Sequence, residues 1–149
     1  MRHLSIAVIF FLSVVGVANA NPLDGKDLKF VGSSNFVHQF PQATNVSYTV
    51  KGQFTEVNFV WNDLKLQAFY DVEGNLLATC RPMTTANLPV AAQLTLKNQY
   101  PAGVARDAIE YNDPNDGVSY YVTMFTPKTT YLLHVSTSGT ISVFKKMKN

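Results

Sequence analysis

Eight short segments of the chain have the residue pattern of antiparallel strands, and this pattern limits the fold more than any other feature. In the clearest segment Val57, Phe59 and Trp61 occupy every second position, so they point to one side of a pleated strand. Turn residues separate the segments, such as Gly74 and Gly117. Pro82 limits the fourth strand to a sheet edge or a strand end. The predicted strands are 45–50, 54–61, 64–70, 76–81, 105–111, 118–126, 129–135 and 140–145.

A short helix is predicted ahead of each group of four strands. Ser33 or Ser34 can cap the first helix, Phe36 and Phe40 lie at helical spacing, and Pro41 ends it. Each helix has one apolar stripe, which must be buried against a sheet face. The second helix follows the same plan, with Asn87, Pro89, Ala92, Leu94, Leu96, Tyr100 and Pro101.

The spacing of these features predicts an internal duplication. Phe40-Pro41 and Tyr100-Pro101 are 60 residues apart, and the turn glycines Gly74 and Gly139 are 65 apart. A five-residue insertion at 113–117 would explain the difference. We therefore expect an α+β protein of two tandem repeats, each a helix followed by an antiparallel sheet of about four strands, with the helices packed on one sheet face. The predicted boundaries are a signal peptide at 1–20, a first repeat at 21–83 and a second at 84–149.

The first twenty residues have the features of an export signal. Arg2 is followed by an apolar run, and Ala18-Asn19-Ala20 matches a cleavage site, so the mature chain should begin at Asn21. A retained membrane helix would need about 20 apolar residues, more than this run provides. The sequence therefore predicts a periplasmic or secreted protein without a membrane span after cleavage.

Composition excludes several classes of protein. The chain is 46% hydrophobic and 15% charged, which is typical of a folded domain and not of a disordered one. Its formal net charge of +2 is too small for a nucleic-acid-binding surface. One cysteine, Cys80, cannot form a disulfide within the chain. Because free cysteine is among the most buried residue types, we interpret Cys80 as a small core residue, with a reactive thiol or an intermolecular bridge as the alternatives.

Nothing in the sequence predicts catalysis, a metal site or a cofactor. After cleavage only His38 and His134 remain, in different halves of the chain, and no H-E-x-x-H motif occurs. The Asp- and Asn-rich loop 112–117 lacks the glutamate that a calcium loop needs at its twelfth position, where Thr123 stands. The glycines occur singly in turns and form no phosphate-binding loop. We therefore expect a protein that is not an enzyme.

Aromatic side chains are the candidate binding groups. The chain has ten Phe, seven Tyr and one Trp, and both faces of some strands carry aromatic or aliphatic residues. One face can meet the helices, while the other can meet a partner, because Tyr and Trp are enriched at interface cores. The alternative is that they pack within the core or across strands. The candidate partner-binding residues are Tyr48, Trp61, Tyr70, Tyr121 and Tyr131.

Several of these segments, in order, resemble one family. The first half contributes Phe40-Pro41, 57–61 and 68–76, and the second contributes Leu88-Pro89, Tyr100-Pro101, 109–111 and 120–122. Over about 33–144 the chain resembles the PepSY-like, or β-lactamase-inhibitor-like (BLIP-like), proteins that are exported mainly by Bacteroidetes-type bacteria. The resemblance implies an exported, non-enzymatic fold of two helix-plus-sheet repeats. The related inhibitor binds a class A β-lactamase through an aromatic-rich concave sheet, but its repeats carry disulfides that Cys80 alone cannot form. This difference argues against β-lactamase inhibition.

The sequence thus leaves three hypotheses for function. The first is a binding or regulatory protein that presents an aromatic sheet face to another exported or envelope protein. The second is a structural envelope protein that self-associates through the same face, as a homodimer for example. The third, implied only by the resemblance because PepSY modules are suspected peptidase regulators, is peptidase inhibition.

Overall fold

The computed structural model describes residues 29–148, so the predicted signal peptide and its cleavage site lie outside the described residues. Each helix is followed by four strands that are joined by short turns. A 3-10 turn, Thr85–Asn87, precedes the second helix. The elements are α1 (Ser33–Gln39), β1 (Thr44–Lys51), β2 (Phe54–Trp61), β3 (Leu64–Asp71), β4 (Leu76–Thr84), α2 (Val90–Gln99), β5 (Val104–Asp113), β6 (Gly117–Phe125), β7 (Thr129–Ser136) and β8 (Ile141–Lys148).

The eight strands form one continuous antiparallel sheet in sequence order, from β1 to β8. The prediction of two tandem repeats, each a helix followed by an antiparallel sheet of about four strands, is therefore wrong. The finding that overturns it is the pairing of β4 with β5, whose register runs from Thr79↔Asn112 to Thr84↔Asp107. Both strands extend beyond their predicted ends, and pairing them removes two open sheet edges with unsatisfied backbone groups.

Pro82 lies within β4 and does not end the strand. It is paired with Ile109 of β5. The register of β4 with β3 ends at Gln67↔Cys80, so Pro82 has a neighbouring strand on one side only. A proline is tolerated there because it has no amide hydrogen to give to a second ladder.

Both helices pack on the same face of the sheet. Phe36 of α1 is buried, and its ring lies 4.9 Å from that of Phe59 on β2. Ala92 and Leu96 of α2 are buried in a second cluster that includes Val122 of β6. Leu94, which the sequence assigned to the apolar side of α2, is 57% exposed. The two clusters form the core between helices and sheet, and the opposite sheet face has no described helix on it.

The turn between β3 and β4 approaches α1 closely. The Nδ2 group of Asn35 donates a hydrogen bond to the carbonyl oxygen of Gly74 at 2.7 Å. A Cβ at Gly74 would lie 2.8 Å from the backbone nitrogen and Cα of Gly32, which precedes α1. Gly74 also has a φ of +86°, in the left-handed region that favours glycine. This position therefore requires glycine for two reasons, and it fixes α1 against the sheet.

Candidate functional site

The helix-free face is built from every second residue of the central strands. The strand registers align two rows of side chains across it, because directly paired residues point to the same side of a sheet. The first row is Asn58↔Gln67↔Cys80↔Tyr111↔Ser119, from β2 to β6. The second row is Pro82↔Ile109↔Tyr121↔His134↔Ser142, from β4 to β8.

Several side chains on this face are buried although no described helix covers them. Examples are Glu56, 6% exposed, Cys80, 2% exposed, and Leu132, 2% exposed. Side chains of the same and adjacent strands therefore cover them. Four of the strand pairings contain a register shift, and such bulges bend strands.

An aromatic cluster occupies the β5–β8 half of this face: Tyr111, Tyr121, His134 and Phe144. Tyr121 is its centre, with ring centroids 5.8 Å from Tyr111, 5.2 Å from His134 and 5.4 Å from Phe144. The contacts with Tyr111 and Phe144 are edge-to-face, which aromatic rings prefer. All four side chains are half-buried, so they are packed against one another and still reach solvent.

The aromatic cluster is uncharged near neutral pH. Burial raises the pKa of the Tyr111 phenol, and the nearby Asp113 carboxylate raises it further. Burial also raises the pKa of Tyr121. At His134 burial lowers the pKa, because desolvation disfavours the imidazolium. The cluster therefore presents ring faces and neutral polar tips, a combination suited to a protein interface.

A polar network occupies the β1–β3 part of the same face: Lys51, Glu56, Asn58 and Gln67. The Lys51 ammonium forms a salt bridge with the Glu56 carboxylate. Asn58 Nδ2 and Gln67 Nε2 donate to Glu56 Oε1 at 3.2 and 3.3 Å, and Gln67 Nε2 also donates to Asn58 Oδ1 at 2.8 Å. Glu56 is nearly buried, and its charge is tolerable only because these partners satisfy it. These hydrogen bonds and the salt bridge thus hold the polar network in one arrangement.

Cys80 lies between the aromatic cluster and the polar network. Its free thiol is buried with Phe69, and partly buried neighbours include Tyr111 and Ile109. Burial, and secondarily the Glu56 carboxylate, raises the pKa of the thiol. The thiol therefore stays protonated, and the interpretation of Cys80 as a small core residue is confirmed.

The five candidate residues from the sequence do not share a face. Tyr121 lies on the helix-free face, and the other four lie on the helix side. Tyr70 is fully buried, and its hydroxyl donates to Gln39 Oε1 at 2.8 Å. The ring of Tyr48 packs on Phe30 at 5.1 Å, Trp61 donates its indole N–H to the carbonyl oxygen of Pro41 at 2.9 Å, and the ring of Tyr131 lies 5.5 Å from that of Tyr100.

Sequence reasoning missed Tyr111, Phe144 and the polar network as parts of the site. Alternation along β6 puts Tyr121 and Val122 on opposite faces of the sheet. Once the neighbouring strands are known, the same alternation puts Tyr111 and Glu56 on the helix-free face with Tyr121. Phe144 gave no such signal, because the register of β8 shifts near it. Predicting these members of the site therefore required the order of the strands in the sheet.

The described residues contain no cluster of three or more His, Cys, Asp or Glu side chains that could hold a metal ion. Asp113 in the loop 112–117 accepts hydrogen bonds from the backbone nitrogens of Asn115 and Asp116, at 2.8 and 3.2 Å. This loop is a turn stabilised by its own aspartate. Within 29–148, the helices are too short and too polar to cross a bilayer.

A cleft of about 400 Å³ lies on the other side of the sheet, beneath α2. It is bounded by α2, the 3-10 turn and the strands β5 and β6, and the aromatic cluster takes no part in it.

No family model matches the sequence, and no curated protein matches it either. Solved structures do match. A BLIP-like protein from Bacteroides fragilis aligns with a TM-score of 0.71 at 20% identity, over 80% of this chain and 86% of that one. A DUF2874 family protein from Bacteroides uniformis aligns with a TM-score of 0.68 at 13% identity, over 77% and 85%.

A third solved structure also matches. It is a Bacteroides eggerthii protein whose periplasmic location is itself inferred, with a TM-score of 0.68 at 12% identity, over 79% of this chain and 86% of that one. At these identities the likeness shows the fold. The chain has a BLIP-like fold.

Proposed function

We propose that the protein is an exported, non-enzymatic binding protein that holds another exported or envelope protein against its helix-free sheet face. The observation that carries the proposal is the half-exposed aromatic cluster centred on Tyr121, on a sheet face with no described helix over it. The predicted export signal at 1–20, with predicted cleavage after Ala20, and the fold shared with an inferred periplasmic protein support a periplasmic or secreted location.

The arrangement of the face supports a protein partner. Tyr rings provide a large contact area at low entropy cost, because few torsions are left to fix. Contacts with three neighbouring rings already hold Tyr121 in place. The polar network beside it is hydrogen-bonded within itself, so a partner meets a preformed surface and less ordering is needed.

The proposal is tested by affinity capture from the organism's own envelope fraction with matched variants. Tyr121→Ala removes the centre of the aromatic cluster, while Tyr131→Ala removes a half-buried tyrosine from the helix side of the neighbouring strand. We expect the wild-type protein and Tyr131→Ala to retain the same partner and Tyr121→Ala to lose it. Loss with both variants, or with neither, contradicts the assignment of the face.

Self-association is the competing use of the same surface. Light scattering across a range of protein concentrations distinguishes binding of another protein from self-association. A monomer at all concentrations is expected, whereas a dimer that Tyr121→Ala dissociates would show that the face binds a second copy of the chain.

A further inference from the structure

The strand β8 is an open edge of the sheet. Among the described residues it has a neighbouring strand on one side only, so the backbone N–H and C=O groups that point away from β7 have no strand to pair with. Six of its eight residues are exposed, so nothing within the described chain covers this edge. An edge of this kind can accept an extended segment of another chain as an additional strand.

The strand β8 is already ordered for such pairing. The β7–β8 turn is packed against α2, because a Cβ at Gly139 would lie 2.7 Å from the carbonyl carbon of Ala91. The register shift in β8 lies before Lys145, and from there the strand pairs with 129–132 without interruption. An incoming segment therefore meets a preformed extended backbone, which lowers the entropy cost of binding.

The edge carries positive charge that the chain does not balance. Three of the last four residues of β8 are Lys145, Lys146 and Lys148. Neither β7 nor β6 contains an acidic residue, and none of the three lysines forms a salt bridge with a carboxylate of the described residues. The Lys146 ammonium lies 5.4 Å from the centre of the Tyr131 ring, a cation–π contact that orients it at the edge.

The opposite edge, β1, lacks this combination of features. Its register with β2 shifts between Thr44 and Ser47, and a bulge of this kind disrupts an edge as a template for pairing. Its one lysine, Lys51, forms a salt bridge with Glu56 of β2. The uncompensated charge is therefore a property of β8.

The register of β8 defines the side chains that an added strand would meet. Lys146 is paired with Tyr131, so Lys146 and Lys148 lie on the helix side of the sheet, while Lys145 lies on the helix-free face. Residues directly opposite each other on adjacent strands share a face. Carboxylates at every second position of an added segment would therefore meet Lys146 and Lys148. A second copy of β8 would bring lysines together, which is unfavourable.

We propose that β8 binds an extended acidic segment of another protein as a ninth strand, with carboxylates at alternate positions opposite Lys146 and Lys148. Backbone hydrogen bonds to β8 would hold the segment, and the charges would select it. The site uses the backbone and the helix-side lysines of β8, so it stands or falls separately from the aromatic cluster around Tyr121.

The test is an NMR titration of the isotope-labelled protein with the peptide acetyl-Glu-Val-Glu-Val-Glu-amide. We expect saturable shifts of the backbone amides of 145–148, nuclear Overhauser contacts between the peptide backbone and β8, and weaker binding at high salt. The same peptide N-methylated at every residue keeps the charges but loses its hydrogen-bond donors, and it should cause no saturable shift. The glutamine counterpart keeps the donors but loses the charges, and it should bind about fivefold more weakly.

Two matched variants locate the site. Lys146→Gln with Lys148→Gln should weaken binding of the acidic peptide about fivefold, while Lys29→Gln with Lys65→Gln removes the same charge from exposed positions in the β1–β3 half and should bind as the wild type does. Equal loss in the two double variants, or equal binding of the N-methylated peptide, would mean general charge attraction and would contradict the proposal. A protein that ignores the acidic peptide and instead sediments with phosphatidylglycerol vesicles would show that the lysines meet a lipid surface, and the proposal would be wrong.

Discussion

Replacing Gly74 by alanine should destabilise the protein more than the same change at Gly52. Both glycines have positive φ, +86° and +59°, which costs any other residue about 1 kcal/mol or more. At Gly74 the new Cβ would also lie 2.8 Å from backbone atoms of Gly32, whereas at Gly52 nothing lies within 4 Å. Comparing the two variants therefore separates the cost of backbone strain, which both share, from the cost of the close approach of α1 to the β3–β4 turn, which only Gly74→Ala has.

The additional cost at Gly74 follows from what must move. Relief of the clash displaces α1 from the turn and lengthens the hydrogen bond from Asn35 to the carbonyl of Gly74, which is worth about 1 kcal/mol. Displacement also loosens the packing of Phe36, which is 1% exposed, at a further cost of about 1 kcal/mol. We expect a loss of about 3 kcal/mol for Gly74→Ala and about 1 kcal/mol for Gly52→Ala.

Urea unfolding followed by far-ultraviolet circular dichroism measures both losses, with the fluorescence of Trp61 as a second probe because it is the one tryptophan in the chain. Equal losses in the two variants would mean that α1 can leave the turn without cost, which contradicts this prediction.

Three further predictions concern single side chains. Trp61→Phe should lower the free energy of unfolding by about 1 kcal/mol, because it removes the hydrogen bond to the carbonyl oxygen of Pro41. Urea unfolding measures this loss, and an unchanged free energy of unfolding would contradict the hydrogen bond. The Cys80 thiol should react with a thiol reagent only as fast as the protein unfolds, since it is 2% exposed and its pKa is raised; rapid reaction in buffer would contradict its burial. Burial lowers the pKa of His134 in the folded state, so the unfolded state binds more protons below about pH 6.5 and stability should fall as the pH falls through that region. His134→Gln should reduce this slope in denaturation curves measured from pH 7 to pH 5, and an unchanged slope would show that His134 is not its source.

Much of the secondary structure could be predicted because its signals are local. The alternation around Val57 and Phe59 defined β2 at both ends, and Pro41 and Pro101 marked where the helices stop. Strand neighbours could not be predicted in the same way. Alternation shows which residues of one strand share a face, but it contains no information on which strands pair, so the joining of β4 to β5 was missed.

The candidate site was predicted less well than the strands. In β6, Tyr120 and Tyr121 are adjacent, so both faces of the strand carry an aromatic ring, and the pattern alone does not say which meets the helices. The structure shows Tyr120 buried on the helix side and Tyr121 in the aromatic cluster. Glu56 would have been read as a solvated charge, because its burial depends on Lys51, Asn58 and Gln67 from its own and neighbouring strands.

The helix-free face is the surface that we propose meets a partner. Hydroxyl-radical footprinting of the protein, alone and with the partner that it captures, tests this most directly, because aromatic side chains and leucine both react readily. We expect Tyr111, Tyr121 and Phe144 to become protected while Leu94, exposed on the outer side of α2, reacts as before. Protection of Leu94 with unchanged reaction of Tyr121 would place the partner on the helices and contradict the proposed binding face.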